Sequence, residues 1–183
     1  ARNPTLYEAI QALPEGVTGE IIQSQLHTQP RPSGPHATAE SALGALVSFP
    51  YRFGRGGPGG WWIIDEPEIH FQHDSEILVT DLAGWRRERM PEPPEDQRFE
   101  VVPDWVCEIL SPATASKDRE VKMPVYASYG VAYAWIVDPR ERTLEAYRLR
   151  DGGWELLASY GEADTVEAAP FPEANFQVAE LWR

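Results

Sequence analysis

Two short apolar runs each carry an acid where a charge is costly. They read Glu76-Ile77-Leu78-Val79-Thr80-Asp81-Leu82 and Asp104-Trp105-Val106-Cys107-Glu108-Ile109-Leu110-Ser111-Pro112. A carboxylate among Val, Ile, Leu and Trp needs a charged partner or a metal. The runs therefore predict buried strands whose ends converge on a polar site.

The rest of the chain supplies the elements around them. Thr5 to Leu13 is amphipathic, stops at Pro14 and reads as a helix, followed by one strand over Gly19 to His27. A proline-rich loop, Gln29 to Pro35, precedes helical spacing over His36 to Val47. Five glycines crowd into Gly54 to Gly60, which reads as a turn because no Gly-Lys-Ser/Thr follows to make a phosphate cradle. Trp61 to Ile64 is the next strand, and Ile69 to Phe71 pairs with Glu76 to Leu82 through His73-Asp74-Ser75. The charged segment Arg86 to Gln97 holds three prolines and reads as a surface loop or lid. After the strand at 104–110 comes a helix at 113–129, with Pro124 expected to bend it. Strands at 132–138, 143–149 and 154–160 complete an antiparallel meander with turns at Asp138-Pro139 and Asp151-Gly152-Gly153. The order gives one α/β domain, 1–183, built on a mixed rather than doubly wound sheet.

Composition narrows the function. At 183 residues and 42% hydrophobic the chain can bury a sizeable core. The sole cysteine, Cys107, excludes an internal disulfide and reads as a buried, inert thiol. No apolar run is long enough to span a bilayer and no signal pattern opens the chain, so a soluble cytoplasmic protein without membrane contact is expected. The net charge of −13 argues against a protein that coats DNA by neutralising phosphates. Two small basic clusters remain, Arg86, Arg87 and Arg89, then Lys117, Arg119 and Lys122.

Strand alternation puts Asp104, Val106, Glu108 and Leu110 on one face, and Trp105, Cys107 and Ile109 on the other. In the helix that follows, Asp118 and Lys122 stand four apart and share a face with Tyr126 and Tyr129. If that face leans over the strand ends, Lys122 approaches Asp81 and Glu108. Two carboxylates with nearby backbone oxygens suit Mg²⁺ or Mn²⁺, and an amine could orient a water nucleophile. The plain alternative is that Asp81 caps a turn and Asp118–Lys122 is a surface ion pair.

The chain resembles a bacterial family of restriction-endonuclease-like proteins with a PD-(D/E)XK nuclease core. The resemblance lies in Val79 to Trp85, Pro103 to Pro112, Lys117-Asp118-Arg119 with Lys122, and Tyr133 to Pro139, with weaker likeness at Gly19 to Ile22 and Pro30 to His36. It implies a restriction-endonuclease-like α/β fold, a divalent metal held by Asp81, Glu108 and the Ile109 carbonyl, and Lys122 as the catalytic lysine. Thr80 stands where the family usually has proline. Leu110 replaces the strand lysine of Glu-x-Lys, so the amine must come from the helix.

Supporting candidates are Glu20, as a third acidic ligand, a substrate contact or a solvated strand-end acid, and His36, as an acid, phosphate contact, helix cap or surface residue. Ser111 or Asp118 could position the lysine. The expected activity is metal-dependent hydrolysis of nucleic acid, with DNA as the partner and a homodimer by fold analogy. The rivals are a non-catalytic interaction protein on the same fold and a phosphoesterase for a small substrate.

Overall fold

The computed structural model describes residues 2–183 and builds two large sheets that meet beside Asp81, with a third of two short strands. Helix α1, Leu6–Gln11, starts in a capping box in which Glu8 N–H donates to Thr5 Oγ1 and Thr5 N–H to Glu8. Strands β1, Thr18–Ile22, and β2, Gln25–Gln29, follow, then helix α2, Gly34–Tyr51. Next come β3, Trp61–Asp65, β4, Glu68–Gln72, β5, Glu76–Val79, β6, Leu82–Arg86, and the short β7, Arg98–Phe99. Strand β8, Trp105–Ile109, leads into helix α3, residues 115–128, and β9, Tyr133–Asp138, β10, Thr143–Arg150, and β11, Gly153–Tyr160, make the predicted meander. Two small strands, β12, Thr165–Val166, and β13, Phe176–Gln177, close the chain.

One sheet has the order β2-β1-β5-β4-β7 and the other β11-β10-β9-β8-β6-β3. In the second, β8 and β9 are parallel and joined across α3, whereas β8 and β6 are antiparallel, which makes the sheet mixed. The predicted alternation of β8 holds. Trp105, Cys107 and Ile109 pack under α2 and the C-terminal segment, while Val106 and Leu110 pack toward α3. Burial pushes the Cys107 thiol well up, consistent with an inert side chain.

Four expectations change. The strand read over Gly19 to His27 is a tight hairpin, with Gln23 and Ser24 at φ 52° and 61°. The run Glu76 to Leu82 breaks at Thr80-Asp81, because β5 pairs within one sheet and β6 within the other. The helix expected at 113–129 begins at Ala115 and joins α-helical Ala115–Lys117 and Met123–Ser128 through a π-helical turn, Asp118–Lys122. There Met123 N–H reaches five residues back to Asp118 O, immediately before Pro124, so the expected bend takes the form of a widened turn. Finally, the 87–97 loop leaves the far end of β6 from Asp81 and is fastened by Arg87 N–H to Gly60 O and Trp62 Nε1 to Met90 O, so it does not cover the site.

The largest apolar cluster centres on Phe171, fully buried and edge-on to Tyr51, Trp61 and Trp105 at centroid separations of 4.7, 4.8 and 4.9 Å. Phe171 ties the C-terminal segment to α2 and the six-stranded sheet. Phe171→Ala should cost about 3–5 kcal/mol of unfolding free energy, read from urea denaturation, and Phe171→Leu distinctly less; equal small losses would show that this ring does not hold the core.

Candidate active site

The break between β5 and β6 is where the site is made. Thr80 is buried, and its hydroxyl donates to Cys107 O at 2.8 Å, tying the crossover to β8. Thr80 thereby fixes the backbone at the place where the family pattern has proline. Asp81 comes next: its Oδ2 accepts from Ile109 N–H at 2.6 Å, and its Oδ1 lies 3.1 Å from His36 Nε2. Pro35 in the first turn of α2 starts the helix so that His36 faces this aspartate.

Behind the carboxylates lies a buried ammonium. Lys122 is 1% exposed, and its Nζ sits 2.8 Å from Val79 O, 3.0 Å from Glu20 Oε1 and 2.8 Å from Glu108 Oε1. Asp118 Oδ1 stands 4.0 Å away, so the pair read as a surface bridge is interior. Glu20 is 0% exposed rather than solvated, and also accepts from Lys117 at 2.9 Å and from Val79 N–H at 3.0 Å. Tyr126 O–H donates to the same Glu108 oxygen that Lys122 holds, so both donors converge on Oε1.

Charge in this cluster is unevenly shared. Burial works against ionised Glu20, but Lys122 and Lys117 overcome it and hold its pKa at about 2. Burial likewise opposes the Lys122 charge, and Glu108 and Glu20 more than offset it, so the ammonium stays protonated. Glu108 is pushed well up by burial, against the pull of Lys122 and with the help of the Asp118 and Asp81 charges. Asp118 rises mainly through burial, and Glu40 is raised to about 7 by burial and by Asp81, Glu66 and Asp65. Burial lowers the His36 pKa, but its bond to Asp81 and the surrounding acids win, so the net shift favours imidazolium.

Asp81, Glu108, Ile109, Ser111, His36 and Asp118 line one cavity of about 250 Å³, with Arg31 from the proline-rich loop at its wall. Lys122 and Glu20 do not line it and stand behind Glu108. No ion pair within 4.0 Å joins Lys122 to Asp81 among the described residues; the ammonium reaches one carboxylate of the expected pair. Ser111 Oγ pairs with Thr114 Oγ1 at 3.0 Å, so the lysine is positioned by Glu20, Glu108 and Asp118.

The residues fit a divalent cation. Burial before all else raises the carboxylates here, and His36 Nδ1 is buried without a hydrogen-bond partner, 3.6 Å from Glu40 Oε2. Ligand atoms of His36, Glu40 and Asp81 all lie within 4.8 Å of one another. Glu40 was legible as the i+4 partner of His36 on one helix face and is absent from the sequence-based candidates.

The family model described as Uma2, putative restriction endonuclease, matches residues 5–179. The chain belongs to the Uma2 family. A crystal structure of a putative nuclease belonging to DUF820 from Anabaena variabilis ATCC 29413 matches with a TM-score of 0.77 at 20% identity, covering 98% of each chain. The expected fold is therefore present in this Uma2 protein. No curated protein matches the sequence.

Acid stability should report the Lys122 cage. Glu20 is depressed from 4.5 to about 2 on folding, so its contribution is complete above pH 4.5 and is lost as pH falls toward 2. Glu20→Gln should remove on the order of 3 kcal/mol at neutral pH and flatten the acid limb of a urea-denaturation series. The same acid limb in both proteins would contradict the cage.

Proposed function

We propose that this Uma2-family chain is a divalent-metal-dependent nuclease hydrolysing phosphodiester bonds in nucleic acid, with DNA as its substrate. The observation that carries the reading is the convergence of Asp81 and Glu108 on one acid-rich cavity backed by a buried, protonated lysine. Mg²⁺ or Mn²⁺ would be held by Asp81, Glu108 and the Ile109 carbonyl, with His36 and Glu40 beside Asp81. When bound, such an ion supplies Lewis acidity at the phosphate and lowers the pKa of a water.

The chain's own residues organise that chemistry. Ile109 N–H and His36 fix the two Asp81 oxygens. Lys122 and Tyr126 both occupy Glu108 Oε1, which leaves Oε2 as the free ligand atom. With Val79 O, Glu20 and Glu108 as partners, the three Lys122 donors are committed. This favours holding Glu108 in place over contact with the substrate. Thus the family's catalytic lysine is read here as a positioning residue. Cutting both strands of a duplex at one locus would take two copies, which is the basis for a homodimer.

A second reading, a phosphoesterase for a small substrate, draws on the net charge of −13. A substrate panel separates the two. Asp81→Asn and Glu108→Gln should each lower Mg²⁺- or Mn²⁺-dependent DNA cleavage by about 100-fold or more while circular dichroism stays native. Calorimetry should show Mn²⁺ binding weakened in both. A wild type that cuts neither single-stranded, duplex nor branched DNA with either ion, alongside unchanged Mn²⁺ binding in the variants, sinks the reading.

A further inference from the structure

Most cations of this protein are neutralised by a nearby acid. Arg2, Arg89, Arg98, Arg119, Arg140, Arg142, Arg148 and Arg150 each lie within 4.0 Å of a carboxylate, as do Lys117 and Lys122. Among the described residues, six arginines have no such partner: Arg31 at the wall of the Asp81 cavity, Arg183, and Arg52, Arg55, Arg86 and Arg87, the last four gathered at the end of edge strand β3. The basic cluster read from Lys117, Arg119 and Lys122 is consumed internally, whereas the one at Arg86 and Arg87 is enlarged by α2.

Aromatic rings hold these guanidinium groups. Arg86 lies 4.9 Å from the Trp61 ring centroid, Arg87 lies 4.2 Å from that of Trp62, and Arg52 lies 5.5 Å from that of Phe53. Arg87 donates to Trp61 O and Arg52 O, and Arg52 to Ile63 O, so these two arginines are fixed by carbonyls that leave their charge uncancelled. Arg55 is carried on the glycine turn, which is pinned by Arg55 N–H to Phe49 O and Gly59 N–H to Pro50 O. Gly57 lies so close to Pro50 that an added Cβ would come within 2.4 Å of its ring. The turn is thus a fixed mount. Phe49 and Phe53 remain 50% and 60% exposed beside it. Glu88 and Glu173 border the adjoining cavity, neither of them within 4.0 Å of these arginines.

We infer that this arginine and phenylalanine surface docks the phosphate backbone of nucleic acid, with the exposed rings available to unstacked bases. Unpaired guanidinium groups suit phosphate oxygens, and aromatic rings beside a basic track suit single strands. The placement fits the site already described. Asp81 precedes β6 and Arg86 ends it, so the two lie roughly 16 Å apart along the strand, about five base steps of duplex. The inference rests on the nuclease reading for its substrate and has its own test.

Fluorescence anisotropy with a labelled 30-nucleotide strand and its duplex, in EDTA to prevent cleavage, measures docking alone. Arg55→Ala/Arg86→Ala removes two side chains that make no hydrogen bond, so its thermal melt should fall by no more than about 4 °C, from loss of the Arg86–Trp61 contact. It should bind on the order of 10-fold more weakly, with a salt slope smaller by about 2. The control Arg140→Ala/Arg150→Ala should bind as the wild type. Unchanged affinity and slope in the first variant, with cleavage retained, overturn the docking surface and leave the nuclease reading intact. Arginine-dependent binding with no cleavage under any metal does the reverse. Loss of a wild-type dimer with no change in nucleic-acid binding would assign the face to an acidic protein surface and also overturn the inference.

Discussion

The Lys122 ammonium is the contact on which the rest of the site depends. It enters from α3, meets Glu20 and Val79 O on the five-stranded sheet, and meets Glu108 on the six-stranded one. A charge at 1% exposure survives only when its donors are all matched, since a single missing acceptor leaves an uncompensated ion. Its reach is also short. The π-helical turn at Asp118–Lys122 sets where the amine leaves the helix, so the widened turn, the two sheets and the Glu108 rotamer form one coupled arrangement.

That arrangement is asymmetric in charge, and the asymmetry points outward. Lys122 and Lys117 satisfy Glu20, which stays ionised to about pH 2. The acids nearer the cavity are under-served: Glu108, Asp118 and Glu40 are all raised, through burial first and neighbouring acids second. Glu108 gives one oxygen to Lys122 and Tyr126, while Asp81 is anchored by the Ile109 amide and His36. Acids fixed this firmly are the arrangement that the proposed metal would need, since their positions are set before an ion arrives and little reorganisation remains.

The phase of β8 was legible because a strand's period of 2 assigns faces without tertiary knowledge, and Val106 and Trp105 confirm it from opposite sides. The meander was legible because Asp-Pro and Asp-Gly-Gly mark its turns. By contrast, Gln23-Ser24 takes up left-handed backbone without glycine or asparagine, so nothing local announces that hairpin. Thr80-Asp81 interrupts a continuous apolar run, and which sheet each half joins is decided by strands far away. Glu20 looked like a solvated strand end because its partners Lys117 and Lys122 lie about a hundred residues on. The C-terminal core residues Val166, Phe171, Phe176 and Leu181 follow no helix or strand period, and their burial is a tertiary fact.

Net charge misleads most where pairing is uneven. A value of −13 suggests a surface that repels polyanions, yet it sums acids that a passing phosphate never meets alone. Arg148 and Arg150 share Glu155, and Arg119 is matched by Glu145, so the meander contributes little free charge of either sign along those edges. Glu20, Glu108 and Asp118 are interior. With a Debye length of about 8 Å at physiological salt, a ligand responds to the charges within one or two side chains of it rather than to the whole-molecule sum. The physically relevant pattern is therefore local. An acid-rich cavity with Arg31 at its wall lies at one end of β6 and a cluster of four uncancelled arginines at the other, so under the proposed function an acidic chain would hold a metal and a polyanion at opposite ends of one strand.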